Sequence, residues 1–197
     1  MSTWYVAVYG VGGKLLKAVQ SFYVDSRACV RVGNDVSEWF PVNVGLRQGC
    51  VMSPWLFNVY KDGVVREVNV RVLGKGLELL SANGGRFEIN QLLFADDASL
   101  VADSEEKLGR SVSEFGRVCK RRKLRVNVGK SKVMGCSRYG NGDRMHVILN
   151  GKTLEEVDCF KYLGSQVAAD GVIKDKGLGI KAKKCLYEGV IVPTALY

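Results

Sequence analysis

A single histidine, His146, stands in the 197 residues. That scarcity excludes a Ser-His-Asp or Cys-His nucleophilic arrangement unless this one imidazole is itself the base, and His146 is read as a surface residue. Six cysteines are present (Cys29, Cys50, Cys119, Cys136, Cys159 and Cys185), but no two form a C-x-x-C pair. With one histidine to assist them, a zinc finger is excluded as well. There is no apolar run of about 18 residues to span a membrane and no secretory hydrophobic region at the start. No membrane partner is therefore expected, and the thiols are expected to be reduced, which places the chain inside the cell, in nucleus or cytoplasm. Internal repeats and low-complexity linkers are also lacking.

What the chain does have is positive charge and apolar content. Lys and Arg total 29 against 20 Asp and Glu, a net charge of +9, and 47% of the residues are hydrophobic. The apolar share is ample for the core of one ordinary domain. The charge favours a polyanionic partner, because neutralised phosphates release condensed counterions. Charge alone leaves a basic protein that merely stays soluble as an equal alternative.

The glycines of Gly10-Val11-Gly12-Gly13-Lys14 suggest a phosphate loop until Leu15, which stands where Ser or Thr should bind magnesium. After them Leu15, Leu16, Val19, Phe22 and Tyr23 recur at helical spacing, followed by strands at Ala28–Val32 and Ser37–Val42 around a turn at 33–35. Ser53-Pro54 predicts a helix start, with a helix of about three turns after it. Residues 72–88 predict an irregular connection with a strand entering near Phe87. A helix is predicted from about 104 to 120, started by Asp103 and Glu106 and carrying Leu108, Val112, Phe115 and Cys119 on one face. Alternation at Leu124, Val126 and Val128 predicts a strand, and Asn150-Gly151 a hairpin turn. The fold class this implies is α+β, an antiparallel sheet with helices on one face.

Two carboxylates, Asp96 and Asp97, sit side by side between the apolar runs Leu92–Phe94 and Ala98–Val101. Adjacent like charges stay ionised together only if cations or solvent screen them. Phosphoryl transfer by two metal ions uses such hard oxygen ligands; an ordinary solvated Asp-Asp turn is the alternative. The run Lys120-Arg121-Arg122-Lys123 similarly has two readings, complementing a helix C-terminus or contacting a nucleic-acid backbone.

Four segments occur in one order: "GLRQGCVMSPWLFNVY" (Gly45 to Tyr60), "FADD" (Phe94 to Asp97), "LRVNVGKSKVM" (Leu124 to Met134) and "FKYLG" (Phe160 to Gly164). Together they resemble the reverse transcriptase domain of non-LTR retrotransposons over most of residues 10 to 170. The resemblance implies an RNA-directed DNA polymerase with a polymerase palm, a nucleotidyltransferase using Mg2+ or Mn2+. Its implied partners are an RNA template, a DNA primer and deoxynucleotides. Carried over by position, Asp96 and Asp97 become the catalytic metal-binding pair, with Phe94 where relatives often have Tyr. Arg47, Gln48 and Gly49 match the segment beneath the incoming nucleotide and template, where a glycine permits close backbone approach. Trp55, Leu56 and Phe57 are read as core. Lys130, in the motif with Asn127, is placed near the nucleotide's phosphates, a surface lysine being the alternative. Tyr162, Leu163 and Gly164 match the primer grip, with core packing of the aromatic as the alternative.

The match also has departures. The family's third catalytic carboxylate belongs to a segment upstream of Gly10, and Met1 to Tyr9 holds no acidic residue; Asp25, Asp35 and Glu38 do not match it by position. The two-metal geometry is therefore expected to be incomplete, and this chain alone catalytically impaired and a poor metal binder. Activity would then need a complementing polypeptide. Loss of that strand is also expected to leave sheet edges uncovered. Residues 1–164 are expected to form a partial fingers and palm region. Residues 165–197 are expected to be a shortened palm-thumb connection or thumb remnant, with an internal loss near Gly171 and a helix over Leu178, Ile180, Leu186 and Val190. A non-enzymatic nucleic-acid-binding module built on the basic residues from Lys120 to Lys132 is the competing reading.

Overall fold

Strand Asp97–Ala102 carries no charge after its first residue, and in the computed structural model of the chain Ala98 through Ala102 are all buried. A strand apolar on both sides has to be covered on both faces, and its neighbours show how. The structure describes residues 4–43, 45–80, 83–136, 145–162, 165–169, 173–174 and 190–195, for the last two segments and residues 4–5 as backbone only. They divide into two compact units, Met1–Gly63 and Val64–Tyr197, and the division falls inside helix Ser53–Arg71.

The second unit is organised by that strand. It pairs antiparallel with Gln91–Phe94 on one side and with Val190–Ala195 on the other, so that Ala195 stands opposite Asp97 and Val190 opposite Ala102. Both of its edges are thus hydrogen-bonded. Alternate residues point to opposite faces. Ala98, Leu100 and Ala102 join one core cluster with Leu108, Val112 and Phe115 of helix Glu105–Arg121 and with Val64, Val68 and Val72. Val101 joins the other cluster, with Leu77, Leu79, Met134, Tyr162 and Val167. Helices therefore cover one face of the sheet and hairpins the other. The α+β expectation holds, with one exception to its antiparallel character: Lys132–Val133 pairs parallel with Glu155–Glu156.

Helix Glu105–Arg121 follows its predicted face, but its cap is Ser104, whose hydroxyl accepts from the Lys107 backbone N–H at 3.3 Å. Asp103, predicted to start the helix, instead pairs with the Lys107 ammonium at 2.6 Å. Three other expectations are corrected. The helix after Ser53 runs through Gly63 to Arg71, 19 residues rather than about three turns. Residues 72–88 include a strand pair, Leu77–Leu80 with Arg86–Ile89, in which Leu77 and Leu79 are buried between exposed Glu78 and Leu80. Only Val126 forms a bridge within Leu124–Val128, because the Asn127 carbonyl bends the chain by accepting from the Lys130 and Ser131 amides. The Asn150-Gly151 turn is as predicted: both residues have positive φ, 52° and 78°, and Leu149 pairs directly with Lys152.

The first unit has a smaller core. Val6, Val19 and Leu56 are buried, with Leu16, Tyr23 and Val59 half-buried against them. Helix Gly13–Ser21 is where its spacing predicts. Its hairpin pairs Arg27–Ala28 with Phe40–Pro41 and Arg31–Val32 with Asp35–Val36, so the turn is Gly33-Asn34 and Asp35 belongs to a strand. Trp55 is 73% exposed rather than core: one residue is about 100° of helix rotation, so facing Leu56 inward turns Trp55 outward. Among the described residues no helix is long and apolar enough to cross a membrane. Val190 begins a strand, not the expected helix; Leu178, Ile180, Leu186 and Gly171 lie outside the described residues.

Candidate functional site

Strand pairing sets the carboxylate doublet. Phe94 pairs with Asp97, so the loop between the strands is Ala95-Asp96 and not Asp96-Asp97 as the sequence suggested. Asp96 lies exposed at the tip, while Asp97 is half-buried as the first residue of the central strand. The turn holds Ala95 at φ 44°, the left-handed region, which costs an L-residue roughly 1–2 kcal/mol. Such strain persists only where the surroundings over-determine it, and here two paired strands do so.

Because side chains two apart share a face, Asp97, Ser99 and Val101 look toward the hairpin Cys159–Tyr162 with Ser165–Ala168. Tyr162 is buried there. Burial pushes its phenol above the usual value, the nearby Asp97 carboxylate adds to that rise, and the Ser99 hydroxyl offsets part of it. Ser99 itself is fully buried without a well-formed hydrogen bond among the described residues. Sequence reasoning missed it; the only signal was its place two residues after Asp97. The structure thus brings Tyr162 to the face that carries Asp97. Leu163 and Gly164 lie outside the described residues.

Lys130 is exposed on a turn stapled by Asn127, whose side-chain oxygen accepts from the Lys130 amide at 3.2 Å. Its neighbours Val126 and Val128 pack with the helix-side core, on the face opposite Tyr162. The doublet offers two carboxylates to a divalent ion. Among the described residues no group of three His, Cys, Asp or Glu side chains comes together that could hold a metal. Mg2+ commonly takes one or two carboxylates and fills its octahedron with water and substrate phosphate, so the pair suits one such ion.

Arg47, Gln48 and Gly49 belong to the first unit. They line a cleft of about 320 Å3 with Leu46, Ser53 and Phe57. The Arg47 carbonyl accepts from the Ser53 hydroxyl at 2.8 Å and its guanidinium donates to the Ser26 hydroxyl at 3.0 Å. Gly49 has φ 81° with open space where a Cβ would stand; the left-handed backbone, rather than a close approach, is what favours glycine. Cys50, on the same loop, was not singled out by sequence. The Met52 amide, then the Ser53 hydroxyl and amide and the Arg47 charge, lower its thiol below the ordinary value despite an opposing desolvation cost.

The basic run is only partly available to a polyanion. Arg121 and Arg122 both pair with Glu67, Arg122 at 2.7 Å, and Lys132 pairs with Glu155. Lys120, Lys123 and Lys130 remain exposed.

The reverse transcriptase (RNA-dependent DNA polymerase) family matches residues 13–167. The chain is also similar to the retrovirus-related Pol polyprotein from type-1 retrotransposable element R2 of Popillia japonica, 23% identical over 173 residues, covering 84% of this chain and 28% of that polyprotein. It therefore spans little more than a quarter of that relative's length. Both findings bear out the reading of a non-LTR retrotransposon reverse transcriptase domain made from the four motifs. The chain belongs to the reverse transcriptase (RNA-dependent DNA polymerase) family.

Proposed function

We propose that this chain carries the palm of a non-LTR retrotransposon polymerase, in which Asp96 and Asp97 hold Mg2+ or Mn2+ for transfer of a deoxynucleotide to a DNA primer on an RNA template. One observation carries the reading: the doublet spans the junction of a two-residue loop, which holds Asp96, and a strand begun by Asp97 that is buried on both faces and paired on both edges. A rigid turn is what a catalytic carboxylate pair requires, since misplacement by about 1 Å can cost 100-fold. The bound ion supplies Lewis-acid stabilisation of developing phosphate charge.

The other residues take roles by position. Arg47, Gln48 and Gly49 form the floor under nucleotide and template, Lys130 lies toward the nucleotide's phosphates, and Tyr162 with Leu163 and Gly164 grips the primer. Residues 1–164 act as the fingers and palm portion and 165–197 as a thumb-side remnant, in an intracellular protein. Two carboxylates without a third oxygen ligand stabilise the transition state poorly, so turnover at this doublet needs a third oxygen ligand beside it.

The test is primer extension by the purified chain on poly(rA) annealed to oligo(dT), with dTTP and Mg2+. The proposal predicts metal-dependent extension, abolished by Asp96→Ala or Asp97→Ala. Extension that survives both substitutions contradicts the site.

A further inference from the structure

Helix Glu105–Arg121 turns Gly109, Ser113, Arg117 and Lys120 to one side, at spacings of four, four and three residues. The hairpin formed by Ile148–Leu149 and Lys152–Thr153 stands against the same helix. Gly116 sets how near it comes: a Cβ there would lie 2.9 Å from Leu149 Cδ1 and 3.1 Å from Asn150 Oδ1. Beside this contact opens a cleft of about 510 Å3, lined among others by Gly109, Ser113, Arg117, Lys120, His146 and Ile148.

The lining has a definite chemistry. A guanidinium, an ammonium, an imidazole and a hydroxyl face the cleft, and among the described residues no carboxylate lines it. Two acids act from outside the lining: Glu114 pairs with Arg117 along the helix, and the Glu105 carboxylate accepts the His146 backbone N–H at 2.7 Å. In this pair Arg117 is exposed and Glu114 half-buried, and a pair open to solvent is weak enough for a phosphate to compete with the carboxylate. Ile148, 54% exposed, provides an apolar ledge. At Gly109 the floor is bare, since an added Cβ would meet nothing within 4 Å. The volume is in the usual range for small-ligand clefts, roughly 300–1,000 Å3.

We propose that this cleft binds a phosphate ester of a nucleoside, with Arg117 and Lys120 on the phosphate and Ile148 against the sugar or base. The ester is either a free nucleotide or one phosphodiester of a nucleic-acid strand. The site is independent of the carboxylate doublet and needs no metal ion.

The test is calorimetric titration of the full 197-residue chain in EDTA with dTMP and with hexathymidylate. Binding of dTMP identifies the free nucleotide as ligand; binding of hexathymidylate alone identifies a strand. In either case the double substitution Arg117→Ala/Lys120→Ala weakens binding at least about tenfold. For hexathymidylate the slope of log affinity against log salt falls by about 1.4, two phosphate contacts at ~0.7 each. Gly109→Leu, which suits a helix better than glycine and fills the cleft, also weakens binding while the circular dichroism keeps its helical signal. Wild type that binds neither probe, or variants that bind as wild type does, overturn the proposal. The readout excludes divalent metal and polymerisation, so it stands or falls separately from the proposed polymerase site.

Discussion

Two cysteines of similar exposure carry opposite chemistry. Cys50, at the start of helix Ser53–Arg71, has its thiol lowered by the Met52 amide and the Ser53 hydroxyl, whereas burial pushes Cys136 up to about 11. Thiolate is the reactive form, so iodoacetamide at mildly alkaline pH should label Cys50 at least about tenfold faster than Cys136, as read by mass spectrometry of tryptic peptides. The stability consequence follows from the sign. Cys136 has a folded value above its unfolded value of 9.0, so its contribution is intact below that pH and is lost as pH rises through about 11. Urea denaturation in that interval should show falling stability, and Cys136→Ala should flatten part of the fall. Neither shift was legible in sequence, because both come from what surrounds the thiol. Ala95 is a second residue-scale case. Its φ of 44° favours glycine, and Ala95→Gly should raise unfolding free energy by about 0.5 kcal/mol after the extra unfolded-state entropy is subtracted.

At the scale of elements, helix Glu105–Arg121 was the most legible because its signals were local and periodic. Leu108, Val112, Phe115 and Cys119 are all buried on one face, as their spacing predicts. Ser104→Ala should cost about 1 kcal/mol through loss of the cap, and Phe115→Ala about 3–5 kcal/mol through the cavity left in the helix-side core, both read by urea denaturation. The Asn150-Gly151 turn was equally local, since two left-handed residues in sequence leave few alternatives to a tight hairpin. The strand expected near Phe87 is Arg86–Ile89, but its partner Leu77–Leu80 was missed because the surrounding glycines signalled a loop more strongly than four alternating residues signalled a strand. The strand expected at Leu124–Val128 failed for the opposite reason: alternation was present, but Asn127 uses its carbonyl and side-chain oxygen to make a turn. Tyr162 is buried, as the packing alternative left open in sequence has it, and it faces Asp97.

For the whole molecule, the two units differ in what protects them. The first buries Val6, Val19 and Leu56 and carries a hairpin whose paired residues are largely exposed, while the second packs both faces of its central strand. Amide hydrogen exchange should therefore be slowest in Asp97–Ala102 and Glu105–Arg121 and markedly faster in Arg27–Pro41. Sequence order alone did not disclose that Val190–Ala195 pairs along the whole central strand, since such pairing is set by long-range closure rather than local pattern. The family was nonetheless readable, because four motifs in fixed order are far more specific than the local structure around any one. The doublet is where these scales meet: strained turn, buried strand and a polymerase family membership all converge on Asp96 and Asp97. The most direct test is Mn2+ titration of the labelled chain observed by amide NMR. The account predicts selective broadening of the Ala95 to Ala98 resonances, abolished by Asp96→Asn with Asp97→Asn. Resonances at those positions that stay sharp, or broaden equally in the double variant, would contradict it.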